Sequence, residues 1–305
     1  MVSKNLDNFV KVDKDYIENE IKGAIFHSNN SEFRLEKPAS IARVIDRNRF
    51  DSSLARRLKS KILMGTRVTG IEIRKDSVKV KTKPEGKEFV SKMVLGCDGP
   101  NSVVRNHFGV KPAEVIKGLI AITREKDSSG LVELWFDKKL LDDGFFWKIP
   151  KGKSVEYGML SKDADFSKLE KFFTPKLKGK SYERRAGMIP IGIQKTYFSR
   201  TLLVGDSACQ VKPWSGGGVV YGMICAGIAS DVVSKAFDSR DFSENFLKQY
   251  EDRWKKEIGR SITMGLMFRE FLKDLDNQGI EKIFNKIRKK GIDNFDMDFP
   301  FASFQ

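Results

Sequence analysis

Residues 201–230 read TLLVGDSACQVKPWSGGGVVYGMICAGIAS. A short apolar strand, Leu202 to Val204, runs into Gly205-Asp206, turns through Pro213 and meets Gly216, Gly217 and Gly218, which open a largely apolar helix. A strand that stops at Gly-Asp leaves a carboxylate at the carboxyl end of a sheet, where open α/β sheets bind their ligands. Glycines at a helix start let the backbone approach a ligand closely and leave unpaired N–H groups aimed at it, backed by the positive end of the helix dipole. Such a site suits a polyol beside an electron-rich ring or a phosphate. The same residues also read as a glycine-rich turn in front of a core helix.

A second stretch repeats the logic. Residues 93–110, MVLGCDGPNSVVRNHFGV, carry an apolar strand, Met93 to Leu95, into Cys97-Asp98-Gly99 and a turn before Val103. Two strand ends with an acid and a glycine point to a ligand site more strongly than one.

Between and before these stretches the chain is mixed. VIDRNRFDSSLARRLKS (44–60) places Phe50, Leu54 and Leu58 at helical spacing behind Asp46 as N-cap, so Arg47 falls in the first turn. A cation there opposes the helix dipole unless an anion lies nearby. Val68 to Arg74 and Ser77 to Lys83 alternate as a hairpin, and Pro84-Glu85-Gly86 turns into a third strand. Ile21 and Ala24-Ile25-Phe26 read as strands near the start. From Lys111 to Phe198 the aromatic-rich segments IAITRE, LVELWFD, GFFWKIP and VEYGML predict an antiparallel sheet covering an apolar ligand. After Ser243 the tail is helical, with Phe246, Tyr250, Trp254, Ile258 and Ile262 every four residues. It ends in a basic amphipathic helix, Ile280 to Lys290.

Composition narrows the function. The chain has 305 residues, 40% of them hydrophobic, enough for a sizeable core. Lys and Arg number 56 against 41 Asp and Glu, a formal charge of +15, which favours an anionic partner. Nucleic acid is set aside because the basic residues are dispersed and no recognised binding motif is present. Cys97, Cys209 and Cys225 are too scattered for disulfides or a zinc site and are expected as buried small hydrophobes. With only two histidines, no metal site is read and no Ser-His-Asp arrangement. No apolar run approaches the ~20 residues that span a bilayer, and a reducing cytoplasmic setting is the expectation. Peripheral contact with the anionic inner face of a membrane is expected through the basic helix and Met264 to Phe268.

Taken in order, VIDRNRFD, VLGCDGPNSVVR, GFFWKIP and LLVGDSACQVKPWSGGGVVYGMICA resemble the geranylgeranyl reductase family of flavoproteins, relatives of the p-hydroxybenzoate hydroxylase fold. The likeness covers about residues 20–300. It implies an α/β fold with an antiparallel sheet: a doubly wound FAD-binding domain from 40–110 and 196–237, a β-rich substrate domain from 1–39 and 111–195, and a helical segment from 238–305. It implies FAD as cofactor, an isoprenoid lipid as substrate and an unidentified electron donor. By the same resemblance Arg47, Val68, Asp206, Gly216, Gly217, Gly218 and Val219 contact the cofactor, Asp98 and Gly99 support it, and Phe145, Trp147 and Pro150 line the substrate pocket. The pocket motif departs from the family at Phe145 and Ile149, usually Tyr and Phe, and no residue stands out as the proton donor. GFFWKIP also resembles the signature of flavin halogenases, so a halogenase or monooxygenase is the competing enzyme. Family members open with a βαβ unit whose GxGxxG loop receives the FAD diphosphate. Nothing before Val44 here serves that role, so an incomplete FAD domain, weak flavin binding and a colourless product are expected of these 305 residues.

Overall fold

The computed structural model describes residues 1–84, 86–290 and 296–300. The first strands are β1 (Val2–Ser3), β2 (Ile17–Ile21), β3 (Gly23–His27), β4 (Glu32–Glu36) and β5 (Ala42–Ile45). β5 takes β1 and β2 on its two edges, all antiparallel. Only β3 and β4 join the large sheet. Residues 1–21 therefore pair with β5, while Ile21 packs beside Val132 of the large sheet and Asn19 donates to Pro150 O at 2.9 Å.

Asp46 accepts from Arg49 N at 3.2 Å and starts helix α1 (Arg47–Arg56), as the sequence predicts. The helix stops two residues before Leu58, which is exposed. Strands β6 (Arg67–Ile73), β7 (Val78–Lys83) and β8 (Glu88–Ser91) form the expected three-stranded meander. Glu85, between the last two in sequence, where a turn is expected, lies outside the described residues. Strand β9 (Val94–Gly96) then leads to the short helix α2 (Val103–His107).

The large sheet follows: β10 (Glu114–Thr123), β11 (Leu131–Trp135), β12 (Phe145–Pro150), β13 (Val155–Ser161) and, after helices α3 (Phe166–Phe172) and α4 (Thr174–Leu177), β14 (Tyr182–Ile191). Its seven strands run in the order β14-β10-β13-β12-β11-β3-β4, antiparallel except where β11 meets β3. Strand alternation gives it two different faces. Leu119, Ala121, Phe146, Tyr157 and Met159 point to α3 and α4, where Phe146 stacks on Phe172 with ring centroids 3.9 Å apart. Ile116, Phe145, Trp147, Leu160 and Ile189 point the other way. The sequence reading missed α3 and α4.

The chain returns through β15 (Tyr197–Phe198) to β16 (Thr201–Leu203), which pairs in parallel with β9. Leu202 and Val204 face helix α5 (Val219–Ser239) and helix α6 (Glu244–Trp254), and Leu203 faces the β6–β8 sheet and α2. The parallel pair is thus sandwiched between helices and a second sheet. α5 has the length and composition of a bilayer span, although Asp231 and Lys235 interrupt its apolar run as the sequence reading expects, and it buries Tyr221, Cys225, Ala229, Val232 and Ala236 against the fold.

The four-residue stripe of the tail has a geometric remedy. In an α-helix each step of four overshoots a full turn by about 40°, so the stripe would drift off the core. A π-turn at Lys255–Gly259, between α6 and helix α7 (Arg260–Lys273), adds a residue to one turn and resets it. Tyr250, Trp254, Ile258 and Ile262 are all fully buried. Helix α8 (Asn277–Lys290) sets Ile280 and Phe284 against Phe33 of β4, with the ring of Phe284 edge-on to Phe33 at 4.8 Å. Ile280 and Phe284 of its apolar face are therefore engaged by the protein itself. The side chain of Lys290 lies outside the described residues. Cys209 and Cys225 are buried as expected, whereas Cys97 is exposed.

Trp254 anchors this helical layer, and its Nε1 donates to Thr196 Oγ1 at 2.8 Å. Trp254→Ala should cost about 3–5 kcal/mol of stability through the cavity it leaves. Urea denaturation checks this, and a loss below about 1 kcal/mol would mean that the tail packs independently of the sheet.

Candidate active site

β9 and β16 end side by side, and their ends are tied together. Val204 N donates to Gly96 O at 3.0 Å, and Ser207 Oγ donates to Gly96 O and, at 2.9 Å, to Val204 O. The turn this fixes, Gly205–Ala208, begins at a glycine with φ +74°. It carries Asp206 to the start of α5, where Asp206 Oδ1 lies 3.2 Å from the position a Cβ on Gly218 would take. Among the described residues this carboxylate accepts no hydrogen bond. Burial pushes its pKa above the usual carboxylate range, and the charge of Arg47 opposes that shift.

Backbone conformation at Gly216 and close packing at Gly218 both favour glycine before α5. Gly216 has φ +70°, and a Cβ on it would stand 2.7 Å from Ile189 Cδ1. At Gly218 a Cβ would meet Val211 Cγ1 at 2.9 Å. Among the described residues no side chain caps α5, so the amides of its first turn, next to Gly218 and Asp206, are left without an intrahelical partner. An uncapped helix start next to a half-buried carboxylate fits a ligand with hydroxyls and an electron-rich edge. FAD has both: Asp206 would accept from ribityl hydroxyls, and the amides at Gly218 and Val219 would face the pyrimidine edge of its ring.

The other expected cofactor residues are placed less uniformly. Arg47, in the first turn of α1, is near enough to Asp206 to act on its carboxyl and is also paired with Asp51 at 3.1 Å. Val68, on β6, packs into the cluster that contains Val104 and Ala208, behind the Gly205 turn. Asp98 accepts from Val103 N at 2.7 Å and Val104 N at 3.2 Å, so its carboxylate caps α2. Gly99 supplies the left-handed turn (φ +76°) between them. The structure thus gives Asp98 and Gly99 a local task at the start of α2.

Beside the glycine turn lies a cavity of about 330 Å³, lined by Gly118, Ile120, Trp147, Leu160, Gly187 and Ile189 of the sheet together with Arg185 and Ser215. Register explains its shape. Gly187 pairs with Gly118, and Gly118 with Leu160, so two side chains are missing from one row of the sheet. In the next row Trp147 lies over Gly158, where a Cβ would be 2.1 Å from its ring. The indole Nε1 donates to Glu156 at 3.0 Å and holds the ring in that pose. Phe145 shares this face, its ring 5.8 Å from that of Trp147. Pro150 does not: three residues beyond Trp147, it falls on the opposite face of β12, which corrects its assignment to the pocket. Arg185, Gly187, Leu160 and Ser215 escaped the sequence reading. An isolated glycine inside a strand pattern, as at Gly118 and Gly187, is the one signal that marks close approach there.

The raised pKa of Asp206 makes a pH prediction. A carboxyl whose folded pKa lies above its unfolded value stabilises the fold below the unfolded pKa, and that contribution is lost as pH rises through the folded pKa. Asp206→Asn should therefore raise Tm at neutral pH, the gain should shrink to nothing in acid, and flavin affinity should fall. A neutral-pH Tm that drops, measured by thermal scans from pH 4 to 8, would contradict the burial argument.

No protein-family model matches the chain. An uncharacterised protein of Methanocaldococcus jannaschii is 30% identical over 290 residues, covering 90% of this chain and 74% of that protein. The digeranylgeranylglycerophospholipid reductase of Methanococcus vannielii is 29% identical over 297 residues, covering 90% and 76%. Among solved structures, a geranylgeranyl bacteriochlorophyll reductase-like protein of Thermoplasma acidophilum superposes with a TM-score of 0.85 at 20% identity, covering 93% of this chain and 79% of that one. A flavin-dependent halogenase superposes with a TM-score of 0.65 at 16% identity, covering 95% and 58%. Both structures establish the fold, and the halogenase likeness goes no further than that. With the Asp206 turn, the Gly216–Gly218 helix start and the aromatic sheet face in the family's order, this chain belongs to the geranylgeranyl reductase family.

Proposed function

We propose that this chain saturates carbon–carbon double bonds in the isoprenoid chains of a lipid, with FAD as cofactor. The observation that carries the reading is a cavity lined both by Trp147, Leu160 and Ile189 of the sheet and by Ser215 of the glycine turn. An apolar chain lying on the sheet is thereby brought to the turn that would hold the flavin. The relatives named digeranylgeranylglycerophospholipid reductase support the substrate class.

When held by Asp206 and the amides at Gly218 and Val219 and reduced by an external donor, FAD would supply the hydride for one alkene carbon, with a proton from solvent completing the other. This chain's residues do the rest by placement. Trp147, Leu160, Ile120 and Ile189 exclude water and hold the chain against the sheet. The gap over Gly118 and Gly187 leaves room for a methyl-branched chain. The first-turn amides of α5, by stabilising negative charge at the cofactor's edge, favour its reduced form.

The test is product analysis without oxygen: the chain, FAD in excess, dithionite and a geranylgeranyl-chain glycerophospholipid in detergent. Mass should rise by two hydrogens per double bond. Gly187→Val should cut turnover by roughly tenfold or more, the range a misplaced methyl group commands in an apolar site. It should leave flavin affinity and stability unchanged, since a Cβ at Gly187 meets nothing within 4 Å. A product that forms only with oxygen would favour a halogenase or monooxygenase, and an unimpaired Gly187→Val enzyme would remove the chain from this cavity.

A further inference from the structure

Lys212 is a buried cation that the reading above leaves without a task. It is 8% exposed, and its Nζ donates to Asp298 Oδ1 at 2.9 Å and to Met297 O at 3.2 Å. Its backbone pins the glycine turn: Lys212 N donates to Gly217 O at 3.0 Å, and Lys212 O accepts from Gly216 N at 2.8 Å. The ammonium lies directly beneath that turn, 3.3 Å from where a Cβ on Gly217 would be. Asp298, 1% exposed, also accepts from Ser3 Oγ and from Asn5 Nδ2 at 3.0 Å, and its carbonyl accepts from Tyr221 OH at 2.8 Å. Tyr221 is the third residue of α5.

One ion pair therefore joins the chain's start, the glycine turn, the first turn of α5 and residues 296–300. Stability is a poor reason for it, because an apolar pair of similar volume holds a buried site as well as or better than an ion pair. What an apolar pair cannot supply is a charge at low dielectric beside the turn, where a unit charge acts strongly on any change of charge in a bound ligand.

We infer that Lys212 and Asp298 form an electrostatic couple that sets the reduction potential of the cofactor held at the glycine turn. The inference rests on the cofactor placement proposed above. The cation of Lys212 favours the reduced, anionic cofactor, and the carboxylate of Asp298 offsets it. Both are positioning residues and neither touches the reacting atoms.

The experiment is a double-mutant cycle on the full chain at saturating FAD, read as midpoint potential by dye-coupled reduction. Lys212→Met should lower the potential and Asp298→Asn should raise it. Each should change the ratio of reduced to oxidised flavin affinity by about tenfold, which for two electrons is about 30 mV. The double variant should return close to the starting value. If Lys212→Met does not fold, Lys212→Gln removes the same charge and carries the same sign. Shifts of the two single variants in the same direction, or a double variant that does not cancel them, overturn the couple. A Gly218→Val control separates the two levels of failure: if it binds flavin as tightly as the parent, the cofactor placement itself is wrong and the inference falls with it.

Discussion

The carbonyl of Gly96 holds the site together. It accepts from Val204 N and from Ser207 Oγ, so the ends of β9 and β16 cannot separate without taking both partners from the carbonyl of buried Gly96, at a cost of about 1–3 kcal/mol. Because those ends are joined, the Gly205 turn is rigid and Asp206 is delivered to the start of α5. Packing demands the same closeness: a Cβ on Gly96 would stand 2.8 Å from Val104 Cβ and 2.9 Å from Leu203 Cδ2. The helix behind is fixed from its other side, where Tyr221, Cys225 and Ala229 are buried in one cluster with Tyr250, Trp254 and Ile258. Neither the acid nor the helix start could shift without disturbing a packed layer.

The cavity depends on that rigidity. Its lower wall belongs to a sheet whose rows are set by backbone register, and its upper wall belongs to the glycine turn. The contact between them is made by Gly216 against Ile189 and by Val211 against the cluster containing Leu160 and Ile116. A long apolar ligand on the sheet and a flat cofactor at the turn would therefore meet at a defined place. The positive charge of the chain contributes little to this geometry, since the cavity lining holds one cation, Arg185, and that side chain is paired with Glu183 at 2.7 Å.

Much of the framework was legible in the sequence because it is written locally. Strand, acid, glycines and helix occupy one continuous stretch at Leu202–Val219, the Asp46 cap precedes its helix directly, and GFFWKIP alternates as a strand must. What stayed hidden is what needs two segments at once. That Gly118 stands opposite Gly187 is a fact of register between strands some 70 residues apart. That Asp98 caps α2 follows from where the turn at Gly99 points it, and a carboxylate at a strand end reads the same whether it faces a ligand or an amide. Pro150 was misplaced by treating a motif as a unit when strand alternation divides it between two faces. The Lys212–Asp298 pair spans 86 positions and carries no local signal at all.

The central claim is that isoprenoid double bonds oxidise a flavin held at the Gly216–Val219 turn. Rapid mixing without oxygen tests it most directly: the chain with photoreduced FAD on one side, a geranylgeranyl-chain glycerophospholipid or its fully saturated analogue on the other, followed by flavin absorbance. The account predicts that oxidised-flavin absorbance returns with the unsaturated lipid, one flavin per double bond lost, and does not return with the saturated one. Flavin that stays reduced with both lipids until oxygen is admitted would contradict it.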